Sequence, residues 1–191
     1  MAATEPLLEV HGRDVSTRQI AEAAGVAEGT IFRVFPTKEA LIDAVVEDVF
    51  DHQITCAELS TVDHSLALEQ RLEAAVDILQ TRLRRVFALF HSLKLPPPDD
   101  RSHESFRDKH HADNLVLNAA LAEILEPDHS RLAFTPVEAA GVLRTFTFCL
   151  THPFLSDGRF ADPSQIVQLL LHGVLTHPRP SSLPSEEGPA C

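Results

Sequence analysis

The stretch that most restricts what this chain can become is VSTRQIAEAAGVAEGTIFRVFPTKEALIDAV, Val15 to Val45. Ser16 stands three residues before Gln19, the spacing of a capping box, so a helix can open there with its first free amides satisfied. Ile20, Ala21 and Ala24 fall on one face of that helix. Gly25 ends it, because a residue without Cβ enters the left-handed exit conformation freely, and Val26 is expected to tuck under the turn. A second short helix, Ala27 to Val34, would face Ile31 and Val34 toward the first, with Phe35 closing the core just beyond. Glu28, Gly29, Thr30, Phe32 and Arg33 then lie outward or at the rim. Pro36 stops that helix and Thr37 caps a third, opening with Lys38, Glu39, Ala40 and Leu41. Two short helices about a glycine turn, followed at once by a third, read as a helix-turn-helix with the start of a longer helix.

This pattern, with GVAEGTIFRVFPTKEAL as its most specific part, resembles the DNA-binding domain of the TetR family of transcriptional regulators over Val15 to about Val46. The turn glycine Gly25, the second glycine Gly29, the aromatics Phe32 and Phe35, and the Pro36-Thr37-Lys38-Glu39 restart agree in order and spacing. The resemblance implies an all-α chain. Residues 1–46 would be an N-terminal three-helix helix-turn-helix domain and 47–177 a C-terminal helical ligand-binding and dimerisation domain. The tail PRPSSLPSEEGPAC, residues 178–191, is rich in Pro, Ser and Gly and is expected to be disordered.

The same resemblance assigns roles within the motif. The helix Ala27 to Val34 would enter the major groove of double-stranded DNA with its N-terminal residues at base edges. Gly29 would let the backbone approach closely, Thr30 offers a hydroxyl and a methyl, and Arg33 reaches a guanine edge or a phosphate. Lys38, at a helix N-terminus, would pair with a phosphate, and Thr17 and Arg18 are further phosphate candidates. Three positions depart from the family pattern. Phe32 replaces a frequent tyrosine and its hydroxyl. Glu28 replaces lysine or another polar residue and weakens binding unless it accepts from a cytosine amino group. Ala27 cannot cap its helix as serine would, at a cost of about 1 kcal/mol.

Charge sharpens the question. The chain carries a net charge of −12, and its first fifty residues hold four bases against nine acids. Electrostatic affinity for DNA is therefore expected to be modest and sharply salt-dependent. This motivates an alternative reading, a TetR-like dimeric interaction protein with weak or no DNA binding. The first helix, Ala2 to about His11 with Leu7, Leu8 and Val10 as its apolar positions, is short for the family, which suggests a natural start upstream of Met1 or a shortened form. Pro6 is expected near its first turns.

Beyond the motif the chain stays helical. A linking helix is predicted from Lys38 to about Cys56, with Leu41, Ile42, Val45, Val46, Val49, Phe50 and Ile54 on a broad apolar face. A longer one spans roughly Ser65 to Leu93, carrying a basic cluster, Arg82, Arg84 and Arg85, expected to be solvated or paired with acids. Pro96, Pro97 and Pro98 break the chain, and the polar run Asp99 to Asp113 reads as a loop leading into a helix that continues from Leu115 to Leu125. His103, His110 and His111 lie in that run, but the adjacent pair does not share a helix face, and no metal site is assigned. Thr135-Pro136-Val137-Glu138 and Asp162-Pro163-Ser164-Gln165 each join a cap to a proline at the first helical position. The second of these helices is apolar nearly all round, and Gly173 on it could permit close approach.

The function implied by the resemblance is a ligand-responsive transcriptional regulator, a repressor binding a palindromic operator as a homodimer through its last two helices. A small apolar ligand would enter the C-terminal domain and shift the linking helix. Phe87, Phe90, His91, Phe146, Cys149 and His152 are the pocket candidates, chosen as aromatic or polar residues on otherwise apolar helices. The sequence has no phosphate-binding glycine loop, nucleophile elbow or spaced ligand set, so neither an enzyme nor a cofactor is expected. Cys56, Cys149 and Cys191 are odd in number and widely spaced, which fits free thiols, with Cys149 expected as a small buried hydrophobe. No hydrophobic run reaches the length of a membrane span, and a cytoplasmic protein is expected.

Overall fold

The computed structural model describes the backbone of residues 2–94 and 103–173, with side chains for all of these except 103–111. Among the described residues the chain is helical, without a strand. Helix α1, Glu5–His11, accepts Pro6 in its first turn, where the missing amide breaks no bond. Leu8 is fully buried while Val10 faces solvent. At Gly12 the backbone turns with φ 55°, and an added Cβ would sit 2.5 Å from the Ser92 carbonyl oxygen. That contact sets the N-terminal segment directly against the end of a long helix, described below.

Helix α2, Thr17–Ala24, starts in the expected capping box: Ser16 Oγ accepts from the Gln19 amide while Gln19 Oε1 accepts from the Ser16 amide. Gly25 closes it in the left-handed conformation, φ 67°. Ile20 and Ala21 are buried, but Ala24 and Val26 lie exposed, against the expectation that they would face inward or tuck under the turn. Helix α3, Glu28–Val34, has Ala27 at its N-cap without a side-chain bond. Ile31 is its buried contact, and Val34 is 65% exposed rather than packed inward. Phe35, one position on, takes the inner place instead and packs against the core.

The predicted linking helix is two helices. Helix α4, Lys38–Phe50, opens on Thr37, whose hydroxyl accepts from the Ala40 amide. Asp51 then leaves helical geometry at ψ 122°, and its carboxylate caps α5, His52–Leu59, by accepting from the Gln53 amide. An acid able to cap competes with continuing the helix, and here the cap wins. The break resets the rotation of the chain, so Thr55 and Leu59 point inward on α5 while Ile54 is half exposed.

Helix α6, Leu68–Leu93, is the spine. Its first half buries Leu68, Leu72, Ala75, Val76 and Leu79 in one core with residues of the later helices. Its last turns bury Val86, Leu89 and Leu93 in a second core with Leu8, Val15, Ile20, Ile31, Leu41, Ile42 and Val45. Arg85 clamps α1 to this end by a two-pronged bond to Glu5, both arms 2.7 Å. Helix α7, His103–Leu125, begins within the polar run read as a loop. No Gly or Pro interrupts the sequence from His103 to Leu125, so nothing local stops the helix. The prolines at 96–98 and the side chains of His103, His110 and His111 lie outside the described residues.

Helix α8, Pro136–Thr151, carries the full capping box of Thr135 and Glu138. Its buried stripe is Ala140, Leu143 and Thr147. Cys149, about 200° around the helix from Thr147, is exposed, against the expectation that it would be buried. A short helix α9, Pro153–Ser156, leads to α10, Pro163–His172, capped by Asp162 through the Ser164 amide. Ile166 and Val167 are buried and Leu169, Leu170 and Leu171 half-buried. Gly173, with φ 69°, terminates α10 and so is not an interior packing position. Val174, Leu175 and the tail lie outside the described residues.

Candidate nucleic-acid interface and the cavity behind it

The outer face of α3 is open. Gly29, Thr30, Phe32 and Arg33 are exposed, and nothing lies within 4 Å of where a Gly29 Cβ would stand. The buried Ile31 fixes the rotation of α3 on the core, and the sequence order therefore sends Gly29, Thr30 and Arg33 outward together. Arg18, near the start of α2, is also exposed.

Three of the predicted contact residues have partners inside the domain. The Thr17 hydroxyl donates to Glu28 Oε1, joining the first turn of α2 to the first turn of α3. Glu28, the acid expected to weaken binding beside phosphate, is thus held by a neighbour. Lys38 Nζ donates to the Arg13 carbonyl at 2.8 Å, tying the start of α4 to the turn before α2. An ammonium has further protons to offer, so this bond orients Lys38 without exhausting it.

The six residues expected around a ligand do not gather. Phe87 and His152 meet at 4.7 Å between ring centroids, with Phe148 completing the cluster. Phe90 packs edge-on against Phe50 at 5.5 Å. Phe146 lies against the C-terminal core, while His91 and Cys149 are exposed.

None of the six lines the cavity of about 280 Å³ where the break between α4 and α5 meets α6, α7 and α8, although their ring partners Phe50 and Phe148 do. Leu79, Leu83, Val86, Leu117, Phe50 and Phe148 supply apolar wall. Arg82 and Arg144 also line it, with His52 and Asn114. Arg82 donates from one terminal nitrogen to the carbonyl of Phe50, the last residue of α4, at 3.0 Å. Arg144 donates Nε to Asn118 Oδ1 at 2.8 Å. Among the described residues neither arginine is hydrogen-bonded to a carboxylate, and Arg82 Nε is buried without a partner. Burial pulls the Arg82 pKa below its ordinary value, opposed by Cys56, Asp113 and Asp51, and burial alone lowers that of Arg144. Both nevertheless stay charged at neutral pH, since an arginine begins so high. His52 faces Asp113 at 3.7 Å. From sequence, Arg82 was expected to be solvated or paired with an acid and Arg144 was assigned no role, and nothing local relates them because they stand on different helices. A wider surface groove of about 760 Å³ at the end of α7 carries no comparable concentration of buried charge.

Residues 1–45 match the family model described as bacterial regulatory proteins, tetR family. No curated protein matches the chain in sequence. Among solved structures, native NalD, the secondary repressor of the MexAB-OprM multidrug efflux pump in Pseudomonas aeruginosa, is similar at 22% identity and TM-score 0.50, covering 89% of this chain and 90% of that one. The transcriptional regulator FadR from Bacillus subtilis, solved in complex with stearoyl-CoA, is similar at 17% identity and TM-score 0.55, covering 91% and 97%. At such identities the likeness is one of fold. The helix-turn-helix of residues 1–45 thus belongs to the tetR family of bacterial regulatory proteins, and the chain carries it on the helical fold of those solved regulators.

Proposed function

We propose that the chain is a ligand-responsive transcriptional repressor that binds a palindromic operator as a homodimer. The observation that carries this reading is the open face of α3, where Gly29, Thr30 and Arg33 project together from a helix locked by Ile31 and by the Thr17–Glu28 bond. Arg33 reads a base edge or phosphate, Arg18 and Lys38 engage the backbone, and the flat Gly29 position admits the duplex. Residues 1–46 act as the reader and 47–177 as the ligand-binding and dimerisation part. Exposed apolar side chains on α8, Val137, Val142 and Phe148, support a second copy covering α8 and α10. A two-fold dimer would set two readers about one helical turn apart on DNA.

Selection from a randomised duplex pool at low and moderate salt tests the reading. The expected product is a palindrome, with binding weakened roughly five- to 150-fold by Arg33→Ala, a loss of about 1–3 kcal/mol. The second reading, a dimeric interaction protein with little DNA binding, is favoured by Lys38 and Thr17 already having protein partners. It predicts no selected sequence at either salt.

A further inference from the structure

The cavity at the α4–α5 break combines three properties. It is walled mainly by aliphatic and aromatic carbon, it receives two arginines from different helices, and no carboxylate among the described residues is bonded to either of them. Elsewhere in the same chain buried arginine is handled differently: Arg71 is held by Asp128. A guanidinium removed from water needs an anion or carbonyl oxygens to replace its hydration, and a fork of donors fits a carboxylate best. Arg144 has one amide oxygen, and Arg82 has one backbone carbonyl.

We infer that this cavity binds a small apolar monocarboxylate whose head lies between Arg82 and Arg144 and whose body lies against Leu79, Leu83 and Val86. Resting on the ligand-responsive reading above, this names the ligand class and changes it: a purely apolar molecule would leave both guanidinium groups without a bonded carboxylate, with Asp113 and Asp51 acting on Arg82 only through space. Size bounds the ligand. At about 30 Å³ for each water-sized group, a cavity of about 280 Å³ holds on the order of nine non-hydrogen atoms. Benzoate and octanoate are at that scale, and long acyl chains exceed it.

The geometry also supplies a route to the reader. Arg82 holds the carbonyl of Phe50, the last residue of α4, and α4 begins at Lys38 beside the helix-turn-helix. A carboxylate that takes the Arg82 guanidinium competes with that carbonyl. The ligand then favours a position of α4 in which the Phe50 clasp is released, and the differential contact needed for a switch is this exchange of acceptors.

Direct binding to the whole protein tests the inference without DNA. Isothermal titration calorimetry with benzoate and octanoate, against benzyl alcohol and octanol, is expected to show saturable binding of the acids only. Arg144→Met and Arg82→Met, each checked for an unchanged helical spectrum, should weaken it roughly ten- to a hundredfold. Arg84→Met, on the outer face of α6, should leave it unchanged. Equal binding of acids and alcohols, failure of both acids to bind, or full affinity in a folded Arg144→Met protein overturns the inference. Failure to select an operator would count against the DNA-binding reading and leave this calorimetric result standing.

Discussion

Arg71 and Arg82 stand about three turns apart on α6, and both are withdrawn from water, yet the chain treats them oppositely. Arg71, 2% exposed, meets Asp128, donates to the His64 carbonyl at 3.0 Å, and shares its acid with Arg131. Its charge is spent on holding the turn after α7 against the start of α6. Arg82 meets only a carbonyl, and Arg144 across the cavity only an amide oxygen. A buried cation that is neutralised fastens elements together, whereas one without its anion keeps electrostatic capacity for a ligand. The two arginines mark two halves of α6: one inside the C-terminal core, and one that packs on the helix-turn-helix through Val86, Leu89 and Leu93 and holds the end of α4 through the Arg82–Phe50 bond.

That comparison can be broken most directly at Asp128. Asp128→Leu strands the Arg71 charge, and the melting temperature should fall by roughly 10 °C in a calorimetric scan. A change near zero would mean that the ion pair contributes nothing and that the two arginines are alike. Gly12→Ala probes the attachment at the other end, because the new Cβ meets the Ser92 carbonyl at a backbone φ of 55°. A loss of about 2 kcal/mol in denaturant unfolding is expected, with any operator binding reduced as α1 leaves α6. Arg144→Met should alter stability by less than about 1 kcal/mol, since removing a half-buried cation without an acid relieves desolvation. A cost as large as that of Asp128→Leu would make Arg144 structural and sharpen the case against a ligand.

The smallest effect concerns pH. The Thr135 hydroxyl and amide hold the Glu138 carboxyl below its ordinary pKa, and the Ser164 amide and hydroxyl do the same for Asp162. A carboxylate whose folded pKa is depressed contributes stability that is present above its unfolded pKa and lost as pH falls through the folded value. The caps of α8 and α10 should therefore weaken below about pH 4. Carboxyl chemical shifts followed by NMR, with Thr135→Val returning the Glu138 titration toward its ordinary value, would check the sign.

Much of the outer face of α3 was legible in the sequence. Placing Gly29, Thr30 and Arg33 on the outer side of α3 needed only helical periodicity and an apolar Ile31, and the structure exposes all three. The Thr17–Glu28 and Lys38–Arg13 bonds were not legible, because they join residues 11 and 25 positions apart across elements whose packing angle no local rule supplies. Val34 shows the limit from the other side: its spacing from Ile31 suits an inward position, but Val34 is exposed and Phe35 packs against the core.

The sequence by itself determined those helix ends that carry their own cap, though not the break at Asp51 or the start of α7. Ser16 with Gln19, Thr37, Thr135 with Glu138, Asp162 and Gly25 act within three or four residues, and a bond that short does not depend on the rest of the chain. Only the tertiary structure decided which charges would be answered. Arg71 finds its acid 57 positions away, and Arg82 and Arg144 reach one cavity from α6 and α8. Burial and counter-charge are properties of the assembled helices, fixed only when distant faces meet.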